Sequence, residues 1–182
     1  MIVRATTTVR AWLLTGHPGV GKTTCLKRAL ERLGRPAGGF FTEEVRDSGD
    51  RVGFALVTVD GRRGTLADVR RRGGPRVGKY GVDVETLERL GVPAVREALQ
   101  RRALVVIDEI GKMEMTAPAF CRVVEEALAA DVRVVGTILR APHPWADRIK
   151  RHPAVRVIEV TPGNRETLPE RLAAMVTGPA AT

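Results

Sequence analysis

The 182-residue chain predicts an α/β domain on a mostly parallel sheet, with one antiparallel hairpin added. Three stretches carry that expectation. Gly16-His17-Pro18-Gly19-Val20-Gly21-Lys22-Thr23 is a glycine-rich loop between an apolar run, Trp12-Leu13-Leu14, and a helical pattern from Lys22 to Leu33. The apolar run from Ala103 to Ile107 ends in Asp108-Glu109, as a buried parallel strand does when it delivers acids to a ligand-bearing edge. Phe40 to Arg46 and Val52 to Val59 flank the turn cluster Asp47-Ser48-Gly49-Asp50 and read as a hairpin that breaks strand–helix alternation.

The first strand is expected over residues 9–14. The loop after it fits the pattern GxxxxGK[ST] at every fixed position. Its glycines let successive backbone N–H groups turn inward onto phosphate oxygens, and the helix N-terminus behind adds partial positive charge. Lys22 is placed to reach β- and γ-phosphates, and the Thr23 hydroxyl to ligate Mg²⁺. The loop residues Gly16, His17, Pro18, Gly19, Val20, Gly21, Lys22 and Thr23, with Thr24 behind them, are therefore candidates for binding a nucleotide. The chain is expected to be a P-loop NTPase. Leu26, Ala29, Leu30 and Leu33 give the following helix an apolar face, and Gly34 and Pro36 end it.

Beyond the hairpin, Asp60-Gly61 closes the strand, and Arg62 to Gly81 shows neither a strand nor a helix period. It is expected to be a mobile loop near the nucleotide, with a lid as one role. A short helix carrying Leu87 and Leu90 should stop at Gly91, and a second should start at Pro93. In the strand that follows, Asp108 is the expected Mg²⁺ partner, directly or through a water. Glu109 sits where one large class of P-loop ATPases keeps the residue that polarises the attacking water, so Lys22 and Glu109 are the candidate catalytic residues.

Thr116 is expected to cap a helix with Phe120, Val123, Val124, Ala127 and Leu128 on one face. Val132 to Leu139 is another buried strand, on which Thr137 is a candidate γ-phosphate sensor. Arg140 and Arg148 follow it and are candidates to reach the γ-phosphate over the carboxyl edge. A basic helix over 145–151, a last strand over 155–160 and a capping box at Thr167–Glu170 complete the chain. No repeat or linker divides it, so one domain is expected over 1–182, with 1–8 an extension.

No apolar run approaches the roughly 20 residues of a membrane span, and the amino terminus lacks the apolar core of a signal peptide. A cytoplasmic protein acting as a monomer is expected. Cys25 and Cys121 fall beside apolar residues in expected helices and read as small buried hydrophobes. His17, His143 and His152 have no ligand spacing, so no Cys or His metal site is expected. The net charge of +9 is uneven: Arg62 to Lys79 holds six Arg and one Lys against Asp68, or +6 of it. Nucleic acid is a possible partner of such a surface, although a nucleoside triphosphate is also an anion.

Taken together, the chain resembles the nucleoside-triphosphatase family known from thermophilic archaea and bacteria, which has a cancer-related human relative. The resemblance runs from Leu13 to about Leu172. It rests on the loop, on Gly39-Phe40-Phe41-Thr42-Glu43-Glu44-Val45-Arg46, on Val106-Ile107-Asp108-Glu109-Ile110-Gly111-Lys112-Met113-Glu114, and on Val160-Thr161-Pro162-Gly163-Asn164-Arg165. It implies a RecA-like three-layer domain that slowly hydrolyses ATP, GTP and other nucleoside triphosphates with Mg²⁺. Position by position, it also places the nucleotide site on Gly16 to Thr23 and on Leu104, Val105, Val106, Ile107, Asp108, Glu109, Ile110 and Gly111. Two other readings stay open: a kinase whose basic segment clamps an acceptor, and a binding module gated by nucleotide.

Overall fold

The computed structural model describes residues 8–178. The expected extension over 1–8 therefore lies almost wholly outside the described residues. Nine strands form one sheet in the order β5-β6-β4-β3-β2-β7-β8-β1-β9. Strands β2 (Ala37–Asp47), β7 (Leu104–Ile110), β8 (Val134–Ile138), β1 (Ala11–Thr15) and β9 (Val155–Glu159) are parallel neighbours. Strand β8 thus separates the loop-bearing β1 from the acid-bearing β7, as expected of a RecA-like sheet.

Helices cover both faces and make three layers. On one face, α1 (Lys22–Leu33) and α6 (Leu168–Thr177) bury Leu26, Ala29, Leu172 and Val176 against Leu14, Leu104 and Val106. On the other, α3 (Val92–Gln100), α4 (Pro118–Ala129) and α5 (Pro144–Lys150) cover Leu13, Val105, Ile107 and Ile138. All five apolar residues anticipated on α4 are buried. The run Leu104 to Ile107 feeds the two cores alternately, which is why it reads as continuously apolar.

Strand β2 has two halves. Gly38 to Phe41 pair with β7 from Val105 to Asp108, but β2 continues to Asp47. At about 3.3 Å per residue, that carries it roughly 20 Å past its last pairing with β7. Strand β3 (Asp50–Thr58) pairs antiparallel with this extension, and the two form the expected hairpin. Beside it lie β4 (Arg63–Asp68), β5 (Arg76–Val77) and β6 (Tyr80–Val82), which complete a projecting wing.

The wing corrects the expectation of a loop over Arg62 to Gly81. Leu66, Ala67, Tyr80 and Val82 are buried, and edge-to-face contact between Phe54 and Tyr80 joins β3 to β6. Folding also brings in carboxylates that a count along the segment misses. Arg62 pairs with Asp60 and Glu97, Arg63 with Glu43, and Arg71 with Asp83.

Three further expectations are corrected. The two helices expected around Gly91 are one continuous run: α2 (Val84–Thr86), a π turn (Leu87–Gly91) and α3. Pro93 has no N–H to give, and the Val92 N–H reaches back to Leu87 O, so the helix widens instead of breaking. Thr116 does not cap α4, because its hydroxyl donates to Met113 O at 2.7 Å. Thr167 likewise makes no cap for α6, its hydroxyl donating to Asn164 O.

Candidate functional site

The glycine loop leaves β1 with Gly16, Gly19 and Gly21 at φ of 149°, 76° and 106°, a region that residues with a Cβ rarely enter. Gly16 is also required by space, since a Cβ there would lie 2.6 Å from Val160 O. Gly21 precedes the first turn of α1, and Lys22 folds back so that its Nζ donates to Gly16 O at 3.4 Å. An ammonium resting on the loop's own carbonyl is free to turn to a phosphate oxygen.

Asp108 closes the site from β7. It is 1% exposed, and the Thr137 hydroxyl on β8 donates to its Oδ1. Thr137 was anticipated to face a γ-phosphate; in the structure its hydroxyl is engaged by Asp108. Oδ2 is buried without a hydrogen-bond partner among the described residues. Burial pushes this carboxyl above the ordinary range, opposed by the Thr137 and Thr23 hydroxyls and by the charges of Lys22 and Lys27. An orphaned buried carboxylate oxygen is costly. Mg²⁺, which takes oxygen ligands and uses one or two carboxylates beside substrate phosphates, would satisfy it, so Thr23 and Asp108 fit this cation.

Glu109 follows in a cis linkage to Asp108 and is half-buried. Burial raises its pKa, Lys22 draws it down, and Asp108 raises it again. Sequence reasoning missed its neighbour Glu114, 3% exposed, whose carboxyl is pushed up to about 8 by burial first and by Glu109 next. A Cβ on Gly111 would lie 2.8 Å from Glu114 Oε2 and 3.0 Å from Glu109 Oε1, so the two carboxyls flank this glycine. Thr42 on β2 bridges the group, its Oγ1 lying 2.8 Å from Asp108 O and 3.4 Å from Glu114 Oε1. The signal was an acid shortly after Gly111-Lys112, but only folding shows it buried.

Other anticipated residues fall around this centre. Leu104, Val105, Val106, Ile107 and Ile110 have buried side chains and hold the strand in register. Arg140, just past β8, pairs with Glu159 at the end of β9. Arg148 on α5 pairs at 2.7 Å with Glu125 of α4, an oxygen shared with Trp145 Nε1. Lys27 of α1 pairs with Glu43 on β2 and lies over the Phe41 ring.

A phosphate loop and an acid-bearing strand held apart by one intervening strand define a RecA-like P-loop domain. The family model described as NTPase matches residues 11–173, and the chain belongs to this family. It is 45% identical over 156 residues to the nucleoside-triphosphatase THEP1 of Thermotoga petrophila, covering 86% of this chain and 87% of that protein. To its counterpart from Aquifex aeolicus it is 41% identical over 173 residues, 90% of this chain and 97% of that one. The crystal structure of THEP1 from Aquifex aeolicus superposes with a TM-score of 0.83 at 39% identity, covering 92% of this chain and 99% of that one. The solution structure of a human cancer-related nucleoside triphosphatase gives 0.79 at 38%, covering 93% and 98%.

Proposed function

We propose that this chain hydrolyses nucleoside 5′-triphosphates to the diphosphate and phosphate, with Mg²⁺, slowly and with broad base tolerance. The observation that carries the reading is Asp108 Oδ2, buried and unpartnered beside Thr23 and within the field of Lys22. When bound, Mg²⁺ supplies charge neutralisation at the β- and γ-phosphates. Backbone N–H groups of the loop from Gly16 to Thr23, Pro18 apart, hold the phosphate chain, and Lys22 turns from Gly16 O to stabilise charge on the transferring group. Thr24 extends the loop's amide row. Glu109 orients a water and takes its proton as the water oxygen bonds to phosphorus and the bridging P–O bond breaks.

No helix of the described residues is long and apolar enough to cross a membrane. Cys25, buried, and Cys121, half-buried, are free, which suits a reducing cytoplasm. A monomer is part of the proposal. The test is phosphate release with Mg²⁺ across the common nucleoside triphosphates, with and without RNA. Release with each of them, lost in Lys22→Ala, supports the reading. A phosphorylated product that appears only with an acceptor would identify a kinase, and unchanged release in Lys22→Ala would remove the site.

A further inference from the structure

The stretch Val160-Thr161-Pro162-Gly163-Asn164-Arg165 has no part in the chemistry above, yet the fold builds it against the phosphate loop. Val160 N donates to Thr15 O at 2.7 Å, and Val160 O is the atom that a Cβ on Gly16 would strike. Asn164 locks the turn: its Oδ1 accepts from Thr161 N at 2.9 Å and its Nδ2 donates to Glu159 O at 2.8 Å. Arg165 leaves this turn so that its Cδ is the one heavy atom within 4 Å of where a Gly21 Cβ would stand, at 3.9 Å. Its side chain is 49% exposed, and Glu166 holds it at Nε while also pairing with Arg28 of α1.

The strand order gives this turn a direction. Asp108 and Glu109 on β7 and Thr137 on β8 lie on one side of β1, so the terminal phosphate faces that side. The nucleoside must then leave the loop on the other side, over β9, which is an edge strand. No Phe, Tyr or Trp ring is placed there. Phe40 packs on Phe120, Phe54 on Tyr80, Trp12 is buried in the core, Trp145 bonds Glu125, and Phe41 lies beside Asp108 on β2. The side chain that approaches Gly21 is that of Arg165, whose Cδ lies 3.9 Å from where a Gly21 Cβ would stand and which ends in a planar guanidinium.

We propose that the Val160–Arg165 turn is the nucleoside subsite, in which the Arg165 guanidinium stacks on the face of the base. The proposal rests on the nucleotide reading of the loop and deepens it. Guanidinium planes stack on any base, because every base presents a π-face, and the Asn164 amide is already spent on backbone. A stacking contact of this kind tolerates every base.

The test compares Arg165→Ala and Arg165→Lys with the parent protein, using ATP, GTP and UTP as substrates and Mg²⁺-tripolyphosphate as a competitive inhibitor without a nucleoside. In Arg165→Ala, KM should rise roughly tenfold, more for purines than for UTP, as loss of one stacked base implies. Turnover at saturation and tripolyphosphate inhibition should hold. Arg165→Lys keeps the charge and can keep the Glu166 pair but lacks the plane, and should resemble the alanine variant. A parallel loss of tripolyphosphate inhibition would make Arg165 a phosphate ligand and overturn the proposal. A fall in turnover at constant KM, parental KM in the lysine variant, or no change in either variant would also overturn it. If tripolyphosphate fails to compete in the parent protein, the nucleotide reading itself fails, which is a distinguishable result.

Discussion

Thr137 and Asp108 are tied across adjacent strands: the buried hydroxyl on β8 donates to Oδ1 and leaves Oδ2 as the carboxylate's free oxygen. In the proposed site this tie would select which oxygen meets Mg²⁺. Partners that orient a metal-binding carboxylate are typically worth 10–100-fold in affinity, so Thr137→Val should raise the Mg²⁺ concentration for half-maximal phosphate release by about that factor. A Mg²⁺ titration with an unchanged midpoint would show that Asp108 is oriented by something else.

Glu109 should be separable from binding. Glu109→Gln keeps the shape but removes the proton acceptor, and turnover should drop on the order of 10²-fold or more while nucleotide affinity with Mg²⁺ persists. Equilibrium binding together with single-turnover phosphate release would read both. Weaker binding with an unchanged rate at saturation would make Glu109 a ligand instead.

The two arginines after β8 should now differ. Arg140 is held only by an exposed pair with Glu159 at 3.5 Å, which costs little to break, and it sits at the carboxyl end of β8. Arg148 is exposed as well, but its pair with Glu125 on α4 is shorter, at 2.7 Å, and shares that oxygen with Trp145. Arg140→Ala should lower kcat roughly tenfold or more if it supplies charge to the transferring phosphate, and Arg148→Ala should leave kcat near its parent value. Equal effects from both would refute the distinction.

Glu114 makes stability depend on pH. Its folded-state pKa is about 8, above the ordinary 4.5, so between these values the folded chain holds a proton that the unfolded chain has lost. Stability should therefore fall as pH rises from about 5 to 8, and burial of Asp108 and Glu109 acts in the same direction. Glu114→Gln, measured by thermal unfolding in EDTA, should flatten the slope and gain most over the parent near pH 8. Superimposable pH profiles would show that Glu114 is not the group holding the proton.

Where a physical requirement acts on neighbours in sequence, the chain is legible. The loop glycines, the continuously buried run Leu104 to Ile107 and the α4 face were all visible in this way. What escaped depended on partners far along the chain. Leu66 is a strand residue because β3 and β6 stand on either side of β4, and Tyr80 because β4 and β5 stand on either side of β6, although Arg and Gly around them mask any period. Pro93 signals a helix break, yet burial of Val92 and Val95 keeps the helix running through a wider turn. Glu114 gives no sign along the chain of its burial, which appears only once Thr42, 72 positions earlier, is brought against it.

Strand β2 passes from the parallel core into the wing without interruption, and Thr42, at the point where it leaves the core, is bonded to the acid-bearing strand. A beam of this kind has no hinge. Lifting the wing off the carboxyl edge would mean unpairing β2 from β7 or from β3. On the proposed reading, nucleotide and product would pass on the opposite flank, along the free edge of β9, where no strand has to be parted.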